Sequence, residues 1–289
     1  MKTTSKIYYC FAAVMLLVLT ACSSQQQGKK SSVVDYLYPK ESAKTVEPSI
    51  PYLKLPIKLG IAFVPDQGTR GSGSNFWAGT TAFSSGLTET KKMQILKTMS
   101  EHFKKYTFIG EIQEIPSNYL TPGGSFANLE QIKTMYGVDV IALVSFDQVQ
   151  FTDSSFLSVS YWTLIGAYVV SGEKNDTNTL MDTAVYDISS KKMLFRAPGT
   201  SLVKGRATPI NLSEELRSDS VKGFDLATVK LIENLDEQLA AFREKAKQNP
   251  TDIKIEKPAG YSGGGSIDLI LFAGLLLVSV YKGKSKQTA

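Results

Sequence analysis

The apolar run VDVIALVSF at residues 138–146 decides the fold that the sequence predicts. A run this rich in Val, Ile and Leu is typical of a central strand whose two faces are both covered by other elements. The stretch IKLGIAFV at residues 57–64 has the same character, and Pro65 and Asp66 end it. The sequence therefore predicts two strands of one sheet, with other elements packed against it.

Helical patterns separate these strands. Apolar residues recur every three or four positions over residues 88–106, so one face of a helix is predicted to be buried. A strand is predicted at about residues 107–115. Ser125 is expected to cap a second helix, and Gly137 to close it in the left-handed conformation. The order up to residue 146 is therefore β-α-β-α-β.

The rest of the chain predicts antiparallel strands and one long helix. Strands are expected at residues 148–152 and 157–171, followed by a hairpin of residues 183–188 with 193–196. A helix is predicted from about residue 224 to residue 247, with a buried face formed by Leu226, Val229, Ile232, Leu235, Leu239 and Phe242. We therefore predict the α/β fold class, as a single domain at residues 56–249 in which a mixed β-sheet packs with helices.

Three polar segments are predicted to lie outside the regular structure. Residues 22–55 are punctuated by proline and show little periodicity, which indicates a tether or linker. Residues 66–86 are rich in Gly and Ser and predict a surface loop, which lacks the Gly-Lys-Ser/Thr of a phosphate-binding loop. Residues 250–266 predict a Gly-rich linker.

Composition excludes several kinds of site. The chain has one His and two Cys, which rules out a multi-His zinc centre and leaves little for a His-based catalytic pair. We predict no catalytic residue, no metal site and no cofactor other than the covalent lipid proposed below. The chain has 32 Lys+Arg and 27 Asp+Glu, of which five bases and one acid lie in the two terminal segments. The part between them is nearly neutral and has no basic stripe, so no nucleic-acid partner is expected.

The amino terminus has the features of an export signal. Lys2 and Lys6 precede an apolar run at residues 7–19, which is too short to span a membrane. The following Leu19-Thr20-Ala21-Cys22 resembles the lipobox of bacterial lipoproteins. That resemblance implies that signal peptidase II removes residues 1–21 by cleaving between Ala21 and Cys22, and that acyltransferases lipidate Cys22. The alternative is an ordinary signal, or an uncleaved anchor, with an incidental Cys22.

The carboxyl terminus has a second tripartite pattern. An apolar stretch at residues 267–281 follows Gly263, Gly264, Gly265 and Ser266 and precedes a cluster of lysines. As a helix this stretch reaches about 22 Å, short of the roughly 30 Å of a hydrocarbon core. The pattern resembles the GlyGly-CTERM sorting signal, which implies cleavage at or near these four residues by rhombosortase, an intramembrane serine protease. Residues 267–289 are then a removable sorting helix with a basic tail; the alternative is a permanent membrane helix.

A lipobox and such a tail on one chain resemble the rhombotarget lipoprotein family, and residues 161–168 and 194–199 also look similar to it. The domain is loosely similar to the α/β domains of periplasmic lipoproteins. The resemblance implies a place in the bacterial cell envelope, lipid-anchored in the outer membrane because Ser23 follows Cys22, on the periplasmic face or at the cell surface. It implies membrane lipid and the rhombosortase-type protease as partners, and it supplies no activity.

The predicted function is a non-enzymatic binding or accessory module that meets another, unidentified envelope protein. The candidate partner surface consists of Tyr161, Trp162 and Tyr168, within an apolar stretch at residues 156–171. Two alternatives stay open: a subunit resembling a secretion channel, and an envelope hydrolase. A buried polar cluster with a shifted acid in a cleft would favour the hydrolase.

Overall fold

The computed structural model describes residues 24–39, 47–73, 87–154, 173–208 and 210–257. The α-helices in these ranges are α1 (Val33–Leu37), α2 (Glu89–Phe103), α3 (Ser125–Tyr136) and α4 (Leu212–Gln248). The strands are β1 (Ser24–Ser31), β2 (Tyr52–Lys54), β3 (Ile57–Phe63), β4 (Asp66–Gly73), β5 (Ile109–Ile115), β6 (Val140–Ser154), β7 (Glu173–Asp187), β8 (Lys192–Ala207) and β9 (Lys254–Glu256).

Strand β6 organises a seven-stranded mixed sheet. One of its edges pairs along its whole length with β7, which pairs in turn with β8, both antiparallel. Its other edge pairs first with parallel β3 and then with antiparallel β1. Strand β5 continues the sheet beyond β3, and β4 continues it beyond β1. The predicted α/β fold class, a single domain with a mixed sheet and packed helices, is confirmed.

Helices cover both faces of the sheet. On one face α2 and α4 pack against the apolar side chains of β3, β6 and β7. On the other face α1 and α3 pack against alternate residues of the same strands. This two-sided burial explains why residues 138–146 show no alternation of apolar and polar residues, because both faces need apolar side chains.

Local signals place the helix ends. The Thr88 hydroxyl accepts a hydrogen bond from the Lys91 N–H at the start of α2, as an N-cap residue does. Gly137 ends α3 with φ 66°, the left-handed conformation that the sequence predicts. Ser125, at the start of α3, has a non-helical φ of 57°, and its hydroxyl accepts a hydrogen bond from the Ala127 N–H at 3.4 Å, as the predicted cap requires. The turn Pro116–Gly124 brings the chain into α3.

The predicted tether at residues 22–55 is wrong at β1 and α1, where the structure has a strand and a helix. Strand β1 lies between β4 and β6 in the sheet, and Val33, Tyr36 and Leu37 of α1 are buried. The predicted loop at residues 66–86 is wrong for β4, which pairs with β1. Both strands are made mostly of Ser, Gln, Gly and Lys, so they join the sheet through backbone hydrogen bonds that leave no apolar pattern in the sequence.

Two longer elements also differ from the prediction. Strand β6 runs on through residues 148–152, which were predicted as a separate strand. Helix α4 begins at Leu212, well before residue 224. The predicted buried face is confirmed at Ile232, Leu235 and Leu239 and is wrong for its first two members. Leu226 and Val229 are 45% and 54% exposed, whereas Phe224 and Leu231 are fully buried. Small residues decide this face, since Gly223 and Ala227 let α4 lie close to the strands.

A short parallel ribbon of β2 and β9 joins the two ends of the domain, pairing Tyr52–Lys54 with Lys254–Glu256. The residue after β2, Leu55, donates its N–H to the Glu256 carbonyl oxygen. Within the described ranges, no helix combines the length and the apolar character that a membrane crossing requires. The helix prediction at residues 267–289 lies outside those ranges.

Candidate binding site

The site residues predicted from sequence lie outside the described residues. These are Ala21 and Cys22 at the lipobox, Tyr161, Trp162 and Tyr168 at the candidate partner surface, and Gly263, Gly264, Gly265 and Ser266 at the processing site. Their roles stay predictions. The described part of the chain contains a different candidate binding site, a cavity that no sequence motif predicts.

The cavity lies between the sheet and helices α2 and α4, under the β2–β9 ribbon, and has a volume of about 440 Å³. This falls within the range of about 300–1,000 Å³ that small-molecule sites occupy. It lies at the end of the sheet where parallel strands β3, β5 and β6 begin. Its walls are mainly apolar and include Leu53, Leu59, Ile61, Met99, Phe103, Val140, Ala142, Val185, Leu235, Leu239, Phe242 and Ala246.

Helix α4 forms one wall of the cavity through residues that recur every three or four positions. Leu235, Leu239, Phe242 and Ala246 all line it, because this spacing keeps side chains on one side of a helix. Towards the mouth the lining becomes only half-buried, with Phe195 stacked obliquely on Phe242 at 5.4 Å between ring centroids. The site therefore offers an enclosed apolar interior that opens at one end of the domain.

A polar cluster fastens α2 to α4 beside the cavity. The Asp236 carboxylate accepts a hydrogen bond from Tyr106 Oη at 2.8 Å and one from Lys105 Nζ at 3.0 Å, and His102 Nε2 lies 2.8 Å from it. Burial by itself would raise the Asp236 pKa, but these hydrogen bonds outweigh it and hold the pKa below its ordinary value. The bond to Asp236 raises the Lys105 pKa, so that ammonium stays charged where it lines the cavity.

One polar group lies inside the apolar lining. Thr183 of β7 is fully buried and lines the cavity, and its Oγ1 has no hydrogen-bond partner among the residues that the structure describes. An unpaired buried hydroxyl costs roughly 1–3 kcal/mol relative to a paired one. The hydroxyl is thus available to a polar group that enters the cavity.

A second buried polar region lies at the other end of β6 and β7, beneath the first half of α4. Gln148 donates to Thr179 Oγ1 at 2.8 Å and to the Ser220 carbonyl at 3.1 Å, and Gln150 donates to the Leu216 carbonyl at 2.7 Å. These bonds join the helix backbone to the sheet through side chains. The arrangement satisfies buried polar groups and so fixes how α4 lies on the strands.

Asp219 borders this polar region and carries a perturbed carboxyl group. Burial, and secondly the nearby Glu215, raise its pKa, and Oδ2 has no hydrogen-bond partner in the described part of the chain. Asp219 fits only because Gly205 has no side chain, since a Cβ there would lie 2.3 Å from Oδ2. Asp219 does not line the cavity, so the shifted acid and the enclosed site are separate features.

Comparison with known proteins gives only distant likenesses. No family model and no curated protein matches the chain. Among solved structures, a putative neuraminyllactose-binding hemagglutinin homolog from Helicobacter pylori is 8% identical with a TM-score of 0.33, covering 74% of this chain and 97% of its own. A PelC dodecamer from Paraburkholderia phytofirmans is 11% identical with a TM-score of 0.24, covering 63% of this chain and 94% of its own.

In the described residues, His, Cys, Asp and Glu form no cluster of three or more suited to a metal ion.

Sequence reasoning missed the cavity and the cluster beside it. His102 and Asp236 lie on different helices far apart in the chain, and no spacing rule connects them. One signal is present in the sequence: Phe103, Tyr106 and Phe108 lie close together and form an aromatic group at the end of α2. All three line the cavity.

Proposed function

We propose that this protein is an exported, lipid-anchored binding module of the bacterial cell envelope, and that its cavity holds an apolar ligand. The cavity is the observation that carries the proposal, because an enclosed apolar volume of about 440 Å³ is suited to a small molecule or a single hydrocarbon chain. The module is non-enzymatic in this proposal. The candidate partner surface at Tyr161, Trp162 and Tyr168 would then serve a separate protein contact.

The position of β1 indicates where the proposed lipid anchor would lie relative to the cavity. Ser24, at the start of β1, pairs with Asp153 near the end of β6, whereas Val140 at the start of β6 lines the cavity. Strand β6 has 15 residues, which corresponds to roughly 50 Å at about 3.3 Å per residue. A lipid on Cys22 would therefore hold the bilayer near one end of the sheet and leave the cavity mouth at the other end.

Blocking the cavity tests the binding function. Ala246 lines it and is buried, so the ring of Ala246→Phe would occupy part of the volume. We expect this variant to bind the neutral fluorescent probe N-phenyl-1-naphthylamine at least about tenfold more weakly than the wild type, a loss of roughly 1.4 kcal/mol. Ala241→Phe is the matched control, because Ala241 is exposed on the same helix. Equal probe affinity of both variants, with unchanged circular dichroism, would contradict a binding role for the cavity.

Replacing the proposed lipidation site tests the anchor. We expect Cys22→Ala, expressed in a bacterial host that lipidates its exported proteins, to lose labelling by radioactive palmitate and to leave the membrane fraction. Cys10→Ala changes the other cysteine and should keep both properties, because Cys10 lies within the predicted signal. Palmitate labelling that persists in Cys22→Ala would show that the lipid is attached to another residue.

A further inference from the structure

The charged residues that line the cavity are all cationic. Lys105, Arg243, Lys247 and Lys257 line it, and none of the described residues that line it is acidic. Two of these cations are already paired: Lys105 with Asp236 at 3.0 Å, and Lys247 with Glu244 at 2.6 Å. The two remaining lining cations are Arg243 and Lys257.

In the described part of the chain, neither Arg243 nor Lys257 has a carboxylate within ion-pair distance. The neighbouring Glu244 carboxyl is bonded to Lys247, and its pKa is lowered mainly by Lys247 and to a lesser extent by Arg243. The Arg243 guanidinium lies 5.0 Å from the Phe108 ring centroid, so the ring supports it while its N–H groups stay exposed. Lys257 follows β9 directly, and the neighbouring Glu256 carboxylate accepts a hydrogen bond from the Tyr52 hydroxyl. Both cations therefore lie beside an apolar opening with their donors available.

We propose that the occupant is a single-chain anionic amphiphile, a long-chain carboxylate, whose hydrocarbon chain fills the cavity and whose carboxylate binds Arg243 and Lys257 at the mouth. This rests on the proposed binding function and adds the ligand class to it. Burying the chain removes apolar surface from water. The guanidinium can donate two parallel hydrogen bonds to a carboxylate, which a neutral head group of the same length cannot match.

Two ligands of equal chain length separate the head group from the chain. Dodecanoate and dodecan-1-ol, each titrated against bound N-phenyl-1-naphthylamine on the full-length protein, should both displace the probe. We expect dodecanoate to bind about tenfold or more tightly than the alcohol, because charge-assisted hydrogen bonds exceed neutral ones. The preference should fall as salt is raised, since the two cations are exposed.

Neutralising the cations should remove the preference and nothing else. In Arg243→Gln combined with Lys257→Gln, dodecanoate is expected to fall to the affinity of the alcohol, while the affinity of the alcohol stays as in the wild type. Lys245→Gln is the matched control, because Lys245 is exposed on α4 and does not line the cavity. It should leave the dodecanoate preference intact.

The possible outcomes are distinguishable. Equal binding of both ligands to the wild type overturns the carboxylate proposal and leaves the apolar binding function standing. Failure of both ligands and of the probe, on the wild type and on Leu276→Asp alike, overturns the two together. If ligands bind only after Leu276→Asp in the apolar stretch at residues 267–281, the chain's own tail is the occupant, and the carboxylate proposal is wrong.

Discussion

Gly199→Val is expected to destabilise the protein by more than about 3 kcal/mol, because α4 lies directly on strand β8 at this position. A Cβ at residue 199 would lie 2.3 Å from the Ala227 carbonyl oxygen and 2.5 Å from the Leu231 backbone nitrogen. Backbone atoms cannot move aside as a flexible side chain can, so the whole helix must shift. Because α4 forms walls of both the core and the cavity, that shift would disturb both.

Equilibrium urea denaturation followed by circular dichroism measures this effect. Thr200→Val is the matched control, since Thr200 is the next residue of β8 and is exposed. It should change the free energy of unfolding by no more than about 0.5 kcal/mol. Gly199→Ala gives a milder test if the Val variant does not fold. A free energy of unfolding for Gly199→Ala within about 0.5 kcal/mol of the wild type would show that α4 does not approach β8 this closely.

Phe224→Ala is expected to cost about 3–5 kcal/mol, the usual loss when a fully buried aromatic side chain is removed. Phe224 is wholly buried, and its ring meets that of Phe146 edge to face at 5.6 Å between centroids. Phe146 in turn contacts Phe63 at 6.4 Å, so the three rings connect α4 to two strands of the sheet. Truncation at Phe224 would leave a cavity that the close-packed strands cannot fill.

Leu226→Ala, two positions along the same helix, is the control and also tests the sequence-based prediction. Leu226 is 45% exposed, so its truncation should cost less than about 1 kcal/mol. The sequence places Leu226 on the buried face, which predicts a large loss for this variant. If urea denaturation shows Leu226→Ala to be the more destabilising variant, α4 is rotated relative to the face described above.

The difference at α4 shows where apolar periodicity fails as a guide. Leu226 and Val229 are predicted to share a buried face with Leu235 and Leu239, but at 3.6 residues per turn Leu226 lies on roughly the opposite side of the helix from Leu235. The contact with the strands is instead made at Gly223 and Ala227, where the absence of a large side chain allows close approach. Hydrophobicity alone cannot identify a close contact that depends on small size.

The prediction for the polar strands β1 and β4 is wrong for a related reason. Strand β1 reads SQQQGKKS and was predicted as part of a tether. It lies inside the sheet because β4 and β6 supply hydrogen bonds on both its sides. Sequence patterns identify a strand by its apolar side chains. A strand between two neighbours can instead be stabilised by its backbone N–H and C=O groups, which every residue except proline supplies in full.

The sequence by itself determined the elements whose signals are local. The strand at residues 57–63, the helix at residues 89–103, the left-handed Gly137 and the turn between β7 and β8 all follow from residues close together in the chain. Only the tertiary structure decided the cavity, its cationic mouth and the His102–Asp236 contact. These features join segments that are far apart in the chain, as Leu53 and Ile255 are in the ribbon over the cavity. Their geometry depends on how whole helices pack on the sheet, and no pattern within one segment encodes that packing.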